Sequence, residues 1–476
     1  MAVGQTDNGV VTGPRVPPGD VADRERQVDA ARAAFASGRT RPLSWRRAQL
    51  HAMQRLLTER APQIRAAVHA DLGRNDVESQ LTEIDMVRLE AWFASRNLDR
   101  WTRPRKVGAP LTVGTARARI QREPLGTVLI IGPWNYPIHL MLMPLVGALA
   151  AGNTVVLKPS ELAPACSHLL AELVPQYFDA AAIQVVEGGS EATTHLLTHP
   201  FDHIFYTGNA TVGSIVMTAA AATLSPVTLE LGGKSPVWVD ASAPLEATAR
   251  SIAWGKFSNC GQTCVAPDHV LTTPDLVEPL AQAVARATRE MYGKDPRQSA
   301  DYGRIINQRH TQRIAGLLNS GRAVIGGDAD IPHRYVAPTV LVDVAPDAPV
   351  MQEEIFGPVL PIIAVGGLDE AITFINARPK PLALYGFTTN ESTQQALLER
   401  TSSGALGLNV VMNQMVVSTL PFGGVGASGM GRYHGEFGMQ TFSHERAVLQ
   451  KLRGPDPLML ARPPFGWLTR KLFLRG

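Results

Sequence analysis

Short apolar runs alternate with helical segments between Gly126 and Asp240, and this alternation limits the folds open to the chain more than any other feature. The runs are rich in β-branched residues and are, in chain order, TVLII, NTVVLK, IQVVE, HIFYT, PVTLEL and PVWVD. Alternation of this kind predicts parallel strands joined by helical crossovers on both faces of a doubly wound sheet. Because such a sheet binds ligands beyond the carboxyl ends of its strands, the residues that follow each run are the first candidates for a site.

The rest of the chain adds a second α/β unit and a helical region. Strand and helix patterns resume after Ala241 with VLTTP, a helix over 277–291, and then YVAPTVLVDV, VLPIIAV and GFTTN. Residues 21–98 carry apolar side chains at helical spacing, which predicts a helical cap. The segment LTVGTARARI (111–120) alternates apolar with small or basic residues, as an exposed strand would.

The composition excludes several classes of protein. The 476 residues carry 45 Lys and Arg against 42 Asp and Glu, a net charge of +3, and 45% of them are hydrophobic. That balance excludes a disordered chain and a dedicated polyanion binder. The basic run WTRPRK (101–106) belongs to no recognised nucleic-acid fold, so we predict a solvated edge or a subunit contact there and no nucleic-acid partner.

Cysteine usage and the lack of a targeting pattern predict a cytoplasmic protein. Cys166, Cys260 and Cys264 are too few for a disulfide framework, and no cysteine or histidine cluster completes a zinc pattern, so no metal is predicted. Residues 1–20 lack the apolar run of a signal peptide and are predicted to be a disordered leader. The apolar stretch 128–157 is interrupted by prolines, asparagines and glycines, which predicts a buried strand, loop and helix and not a membrane span.

Cys264 and Glu230 are candidates for a nucleophile and a general base. Cys264 follows the loop residues GQT and precedes Val265, and a loop of this kind can present a thiol to a cleft, although an isolated cysteine is more often a small buried hydrophobe. Glu230 ends the apolar strand of LELGGKSP. Partial burial raises the pKa of a carboxyl group toward neutrality, which suits a general base that activates water; the alternative is a glutamate bonded to the glycine amides that follow it.

Further candidates follow the other strands. Asn135 in IGPWNYP sits among prolines and aromatic residues, where its amide could stabilise an oxyanion or simply form a turn. Lys158 and Glu161 follow NTVVLK, where a nucleotide ribose would lie. Gly208 and Gly213 open a helix after HIFYT, and a helix N-terminus with small residues suits a pyrophosphate, although the spacing is not the usual GxGxxG.

Taken in order, these segments resemble one family. The motifs PWNYP, KPSE, FYTGNATVG, LELGGKSP, GQTCVA, EEIFGP and PFGGVGASGMG are similar to those of the aldehyde dehydrogenase superfamily, and specifically of its class-three-like branch. The resemblance runs from about Arg39 to Arg446. Seven ordered motifs are far more specific than any one of them.

The resemblance implies NAD(P)-dependent oxidation of an aldehyde to a carboxylic acid. It implies that the Cys264 thiolate attacks the aldehyde carbonyl, while Asn135 and the Cys264 backbone N–H hold the oxyanion. Hydride transfer to the nicotinamide would leave a thioester, which water activated by Glu230 would hydrolyse. The cofactor-binding residues that it implies are Trp134, Lys158, Glu161, Gly208, Gly213, Glu354 and Phe356. Glu161 would favour NAD over NADP by its charge, with NADP still accepted.

The resemblance also implies a layout. We predict a disordered leader (1–20), an NAD-binding domain with a helical cap (21–107 and 123–230), a catalytic domain (231–420), an oligomerisation or bridging element (108–122 and 421–445) and a basic C-terminal tail (446–476). A homodimer and a medium-chain aliphatic or aromatic aldehyde are expected from the branch. Two alternatives remain, an enzyme of this fold that transfers the acyl group to coenzyme A and a non-enzymatic NAD-binding protein.

Two features depart from the family pattern. Cys260 stands where a small polar residue is expected, so a thiol near the nucleophile could allow oxidative control. The tail holds GWLTRKLFL, which is short, basic and partly amphipathic. We favour packing of this segment on a partner subunit, with weak contact to a membrane surface as the alternative.

Overall fold

The computed structural model describes residues 20–454 and 456–474, so the predicted leader lies outside the described residues except for Asp20. In chain order the helices are α1 (Val21–Ala36), α2 (Leu43–Glu59), α3 (Ala61–Leu72), α4 (Asp76–Ser79), α5 (Met86–Thr102), α6 (His139–Ala151), α7 (Pro164–Tyr177), α8 (Ser190–Leu196), α9 (Ala210–Thr223), α10 (Leu245–Phe257), α11 (Pro274–Tyr292), α12 (Gln308–Ala315), α13 (Leu368–Asn376), α14 (Glu391–Arg400), α15 (Gly435–Thr441) and α16 (Trp467–Phe473). The first five helices form the predicted cap.

The strands agree closely with the apolar runs in the sequence. They are β1 (Arg105–Val107), β2 (Ala116–Pro124), β3 (Thr127–Ile131), β4 (Thr154–Lys158), β5 (Ile183–Val185), β6 (His203–Thr207), β7 (Val227–Glu230), β8 (Pro236–Val239), β9 (His269–Thr272), β10 (Arg322–Ile325), β11 (Ala329–Asp330), β12 (Tyr335–Val336), β13 (Thr339–Val342), β14 (Val359–Ala364), β15 (Ala383–Phe387), β16 (Ala405–Leu408), β17 (Gly429–Met430) and β18 (Ser443–Lys451).

A six-stranded sheet forms the first α/β unit, in the order β17-β7-β6-β3-β4-β5. All its strands are parallel except β17, which pairs with β7 antiparallel. Strands β3, β4 and β6 are buried along their whole length, because helices cover both faces of the sheet. The predicted doubly wound sheet is therefore confirmed. The strand order reverses between β3 and β6, and the crevice at such a point is where open α/β sheets bind ligands.

A seven-stranded sheet forms the second unit, in the order β10-β13-β14-β9-β8-β15-β16. Its strands are parallel except for β10 at one edge. The run PVWVD continues the alternation of the first unit in sequence, yet it is β8 of this second sheet. The chain crosses between the two sheets over residues 231–235, directly after Glu230.

A three-stranded antiparallel sheet, β1-β2-β18, joins the two ends of the chain. Strands β2 and β18 pair over nine residues, from Ser443 opposite Pro124 to Lys451 opposite Ala116. Part of the predicted exposed strand, Leu111–Val113, is a 3-10 turn, and β18 continues into the segment that we predicted as the tail. The residues of this sheet are exposed or half-buried.

The apolar stretch 128–157 contains β3, α6 and β4, which confirms the predicted strand, loop and helix. Every residue of α6 is buried, because the cap, α15 and the first sheet surround it. In the parts of the chain that the structure describes, no helix has the length and apolar character needed to cross a membrane. A large apolar core unites the cap, α6 and the second unit, and a smaller one lies under α1, α8 and α9 on the other face of the first sheet.

Candidate active site

A cleft with a volume of about 620 Å³ opens at the carboxyl ends of β3, β4 and β6, where the strand order reverses. Residues from the second unit close its other side. Eight of the ten predicted site residues line it: Trp134, Asn135, Lys158, Glu161, Gly208, Cys264, Glu354 and Phe356. Glu230 and Gly213 do not line the cleft. The structure therefore brings together residues that are up to 222 positions apart, the difference between 356 and 134.

The loop before Cys264 is tightly braced. Asn259 and Cys260 have positive φ angles of 49° and 52°, in the left-handed region that costs energy for residues other than glycine. The buried side chain of Gln262 holds the next turn: its Nε2 donates to the carbonyl oxygens of Asn259 and Arg304 at 3.0 and 3.1 Å, and its Oε1 accepts from Ile306 N at 2.9 Å. The part of the loop that precedes the thiol is therefore fixed in place.

Asn135 is bound to the same loop. Its Nδ2 donates to the carbonyl oxygen of Gln262 at 2.9 Å, and its own carbonyl oxygen accepts from Asn259 Nδ2 at 2.9 Å. A carboxamide nitrogen has two N–H groups, and only one is used in this contact. Because Asn135 and Cys264 both line the cleft, the second N–H is available to a ligand there.

A buried ion cluster that the sequence did not reveal lies behind Asn135. Arg74 Nη1 donates to Glu83 Oε1 at 2.6 Å, and both side chains are fully buried. Arg74 also donates to the carbonyl oxygen of Asn135 and to Asn259 Oδ1, and its guanidinium stacks 4.5 Å from the Tyr136 ring centroid. No local motif marks this arginine, which follows the end of α3 in the helical cap. It connects the Asn135 segment with the Cys264 loop.

Glu83 connects the same cluster to helix α6. Its Oε2 accepts from the backbone N–H groups of Ile138 and His139 at 3.1 and 2.8 Å. A carboxylate is favourable at a helix N-terminus, where the N–H groups have no partner within the helix. The Asn135 segment is therefore held from one side by Arg74 and from the other by a capped helix.

The Cys264 thiol is half-buried, and its surroundings raise its pKa to about 12. The largest cause is burial, followed by the nearby carboxyl groups of Glu354 and Glu230. The thiol is therefore protonated at neutral pH in the structure described, and nucleophilic attack requires its proton to be removed. Cys260 is buried as well, its pKa is also raised to about 12 by burial, and it does not line the cleft.

Glu230 is buried behind the cleft at the end of β7. Neither of its carboxylate oxygens has a hydrogen-bond partner, and only 2% of the residue is exposed. Its pKa is raised well above the ordinary value by burial alone. The sequence alternative, a glutamate bonded to the glycine amides, is not what the structure shows, because the side chain makes no such bond. An unpartnered buried carboxyl next to a thiol is costly to keep, so it is a candidate for function.

The strand ends on the other side of the cleft offer groups for a nucleotide. Lys158 is buried at the end of β4, with Nζ 2.7 Å from the carbonyl oxygen of Pro159 and 3.8 Å from Glu161 Oε2. Burial lowers the pKa of this lysine. Helix α9 begins after Asn209, whose Oδ1 accepts from Val212 N. A side chain at Gly208 would collide with the Tyr206 hydroxyl, so the glycine leaves room for Tyr206 at the edge of the cleft.

Gly213 lies one turn inside α9 and faces away from the cleft. A Cβ atom at this position would lie 2.9 Å from Leu231 Cδ2, so the glycine allows the helix to pack closely on the segment after β7. Gly213 does not line the cleft itself. Its predicted role near a pyrophosphate would therefore be to position α9.

The EEIFGP segment is anchored beside the cleft. Lys234 Nζ donates to Asp268 Oδ2 at 2.8 Å and to the carbonyl oxygens of Val350 and Glu353 at 2.9 Å each. The Glu354 carboxylate packs directly against Gly232, and burial together with the charge of Asp268 raises its pKa to about 8. Lys234 and Asp268 were not predicted from the sequence, although Lys234 belongs to the LELGGKSP motif.

Aromatic side chains close the same end of the cleft. The ring centroids of Trp134 and Phe356 lie 5.3 Å apart at an angle of 82°, and His310 lies 5.3 Å from Trp134. Arg313 Nη2 donates to the carbonyl oxygen of Ile355 at 2.7 Å and so holds the Phe356 segment. His310 and Arg313 come from α12, and no sequence pattern pointed to them.

Tyr136, Met141 and Trp254 are large side chains that could contact a substrate, but they do not line the cleft. Tyr136 and Met141 are buried, and the Tyr136 hydroxyl bonds to Thr263 Oγ1 at 2.8 Å. Trp254 is 44% exposed on α10. Core packing therefore describes Tyr136 and Met141 better than contact with a substrate.

The cleft fits a dinucleotide. It offers a lysine and a carboxylate after β4, a glycine before α9, the N-terminus of that helix and an aromatic wall. Helix N-termini favour phosphate groups through their free N–H groups and dipole. Lys158, Glu161, Gly208, Glu354 and Phe356 are the residues that would hold such a cofactor.

Comparisons with known proteins agree with these observations. Residues 9–448 match the sequence model of the Aldehyde dehydrogenase family. The chain is 51% identical to human "Aldehyde dehydrogenase family 3 member B1" over 91% of its length and 92% of that protein. It is 49% identical to mouse "Aldehyde dehydrogenase, dimeric NADP-preferring", over 92% of this chain and 97% of that one. The solved structure "Substrate bound state of Staphylococcus Aureus AldH" superimposes with a TM-score of 0.91 at 43% identity, covering 95% of this chain and 99% of the other.

Proposed function

The chain belongs to the aldehyde dehydrogenase family and is an NAD(P)-dependent oxidoreductase that acts on aldehydes, and from this we propose which of its residues carry the reaction. Cys264 is the nucleophile, Asn135 and the Cys264 backbone N–H stabilise the oxyanion, and Glu230 is the general base that activates water. The observation that supports this assignment most strongly is the braced contact between the Asn135 segment and the Cys264 loop at the floor of the cleft.

The residues of the chain perform three tasks in this scheme. The Cys264 thiol loses its proton to water in the open cleft, and its sulfur forms a bond to the carbonyl carbon as the second carbon–oxygen bond breaks. The negative charge that develops on oxygen is stabilised by the free N–H of Asn135. A dinucleotide held in the cleft would supply the acceptor for the hydride that leaves this carbon, and the acyl group then remains on Cys264 as a thioester. Glu230 then takes a proton from water, and the water oxygen attacks the thioester carbon. The carbon–sulfur bond breaks, the proton passes from Glu230 to the Cys264 sulfur, and the carboxylic acid is released.

Replacement of Glu230 by Gln tests the proposed base. We expect a first burst of one reduced cofactor per chain followed by turnover that is slower by about 10²- to 10⁴-fold, because only thioester hydrolysis needs the base. The measurement is stopped-flow absorbance of the reduced nicotinamide with an aldehyde in excess. Since burial raises the pKa of Glu230, its basic form increases as pH rises, and kcat of the unmodified enzyme should rise with pH above the acidic range. An unchanged steady-state rate, or loss of the burst, would contradict the proposal that Glu230 activates water.

The charge of Glu161 gives a test of cofactor choice. We expect a preference for NAD because the Glu161 carboxylate would repel the 2′-phosphate of NADP. We expect Glu161→Gln to raise the ratio of kcat/KM for NADP over that for NAD by roughly tenfold, since about 1.4 kcal/mol of repulsion between partly exposed charges corresponds to that factor. Glu172 on α7 is a matched control, because its removal changes the net charge equally without touching the cleft. An unchanged ratio would remove Glu161 from cofactor selection.

We also propose that two chains associate through the β1-β2-β18 sheet. The proposal is supported by the exposure of this sheet on both faces and by the apolar side chains of Val107 and Leu449 that it leaves in solvent. The tail segment around α16 also exposes Phe465 and Trp467 beside Arg470 and Lys471. We propose that this segment packs against the partner subunit. We also propose that the protein is cytoplasmic. Light scattering that gives twice the chain mass of 51.2 kDa would support the dimer.

The substrate class is proposed on the resemblance to the class-three-like branch. We propose medium-chain aliphatic or aromatic aldehydes, and a series of aldehydes of increasing chain length, compared by kcat/KM, measures the preference directly. A maximum at the shortest aldehydes would contradict it.

A further inference from the structure

Glu25, His195 and His199 meet on the surface of the first unit. Glu25 is on α1, His195 is in the last turn of α8, and His199 follows four residues later in the turn that continues that helix. The Nε2 atoms of His195 and His199 lie 3.2 and 3.6 Å from the same oxygen, Glu25 Oε1. One ligand atom from each of the three residues lies within 4.8 Å of the other two.

We propose that Glu25, His195 and His199 bind one Zn²⁺ ion, with water in the fourth position. Zinc bonds to imidazole nitrogen and carboxylate oxygen are about 2.0–2.2 Å long, so ligand atoms at the corners of a tetrahedron are about 3.3 Å apart. The two nitrogen-to-oxygen separations match that edge length. Two histidines and one glutamate form a known zinc ligand set that keeps one position open.

The cluster contains a histidine nitrogen without a hydrogen-bond partner and a carboxylate, and both groups suit a cation. His199 Nε2 is buried and has no hydrogen-bond partner among the described residues. Neutral imidazole nitrogen is a common zinc ligand. The Glu25 carboxylate offsets part of the charge of the ion. Arg32 is directed to other groups, the carbonyl oxygen of Pro200 at 3.2 Å and Asp29 at 3.8 Å.

The site lies on the outer side of a helix that also forms part of the cleft. Ser190, Thr193, Thr194 and Leu197 of α8 and its following turn line the cleft, whereas His195 and His199 face α1. Arg24, next to Glu25, approaches Glu191 of the same helix at 3.7 Å. A bound ion would therefore tie α1 to a wall of the cleft.

The test is Zn²⁺ binding to the full chain in the Cys264→Ala background, which removes the thiol of the cleft as a competing ligand. Competition with a chromophoric chelator should give one Zn²⁺ per chain, and Glu25→Gln, His195→Gln and His199→Gln should each weaken binding at least tenfold. His333→Gln is the matched control, because His333 pairs with Asp330 alone at 2.9 Å, and it should leave binding unchanged.

Co²⁺ gives a second readout that does not depend on the variants. In the same background, one equivalent of Co²⁺ should produce visible absorption bands with the intensity of a four-coordinate ion, and excess Zn²⁺ should remove them. Absence of stoichiometric Zn²⁺ binding to the chain, or binding that the three substitutions leave unchanged in folded variants, would overturn the proposal. Bands of six-coordinate intensity would overturn the tetrahedral geometry.

Discussion

The Cys264→Ala chain should bind the dinucleotide and yet produce no reduced cofactor from aldehydes, a loss in kcat of at least about 10⁴-fold. The reason is that Cys264 is the only thiol among the described residues that line the cleft. The burst should disappear together with the steady state, in contrast to Glu230→Gln. The measurement is reduced-cofactor absorbance at saturating aldehyde, with dinucleotide binding followed by protein fluorescence.

Cys260→Ser is the matched control for that experiment. Cys260 stands four residues earlier, is buried, and lies outside the described lining of the cleft. Serine is also the kind of small polar residue that the family resemblance leads us to expect there. We expect most of the activity to remain. If Cys260→Ser abolished turnover and Cys264→Ala preserved it, the nucleophile would be the other cysteine.

Arg74→Met should lower both stability and turnover. The free energy of unfolding should fall by about 3–5 kcal/mol, because Glu83 would remain buried without its partner. We also expect kcat to fall by roughly 10²-fold, since the Asn135 segment and the Cys264 loop would lose the guanidinium that joins them. Urea unfolding and steady-state kinetics on the same preparations measure the two effects.

Two further variants separate a positioning role from a general loss of stability. Combining Arg74→Met with Glu83→Gln removes the unpaired charge and should restore part of the stability but not kcat, because the contact to Asn135 stays absent. Arg286→Met breaks an exposed ion pair with Glu246 and should change neither quantity appreciably. Full recovery of kcat in the double variant would show that Arg74 acts on stability alone.

Much of the fold could be predicted because it depends on local patterns. The runs TVLII, TVVLK and HIFYT are apolar along their whole length, and the structure buries them on both faces of the first sheet. Pro164 in the first turn of α7 and Asn209 at the start of α9 are similarly local signals. The sheet to which PVWVD belongs could not be predicted this way, because strand pattern does not specify the neighbouring strand.

The candidate site also has features that the sequence predicted and features that only the structure shows. Motifs placed Asn135, Lys158, Cys264 and Glu354 at strand ends and loops, and these residues do meet in one cleft. The state of the Cys264 thiol could not be predicted, because its raised pKa comes from burial and from carboxyl groups on other elements. For Glu230 the sequence left two alternatives, a partly buried base with a raised pKa or a glutamate bonded to the glycine amides. The structure buries its oxygens without hydrogen-bond partners, and burial raises its pKa.

The sequence by itself determined the doubly wound sheet and the second α/β unit, because strand and helix patterns are local. The resemblance of seven ordered motifs indicated the family and the residues proposed to carry its chemistry. Only the tertiary structure decided what holds and surrounds that chemistry. Arg74 reaches Asn259 across 185 positions, and Glu25 reaches His195 across 170, the difference between 195 and 25. Contacts between residues so far apart depend on how helices pack on sheets, and no local pattern in the chain marks them.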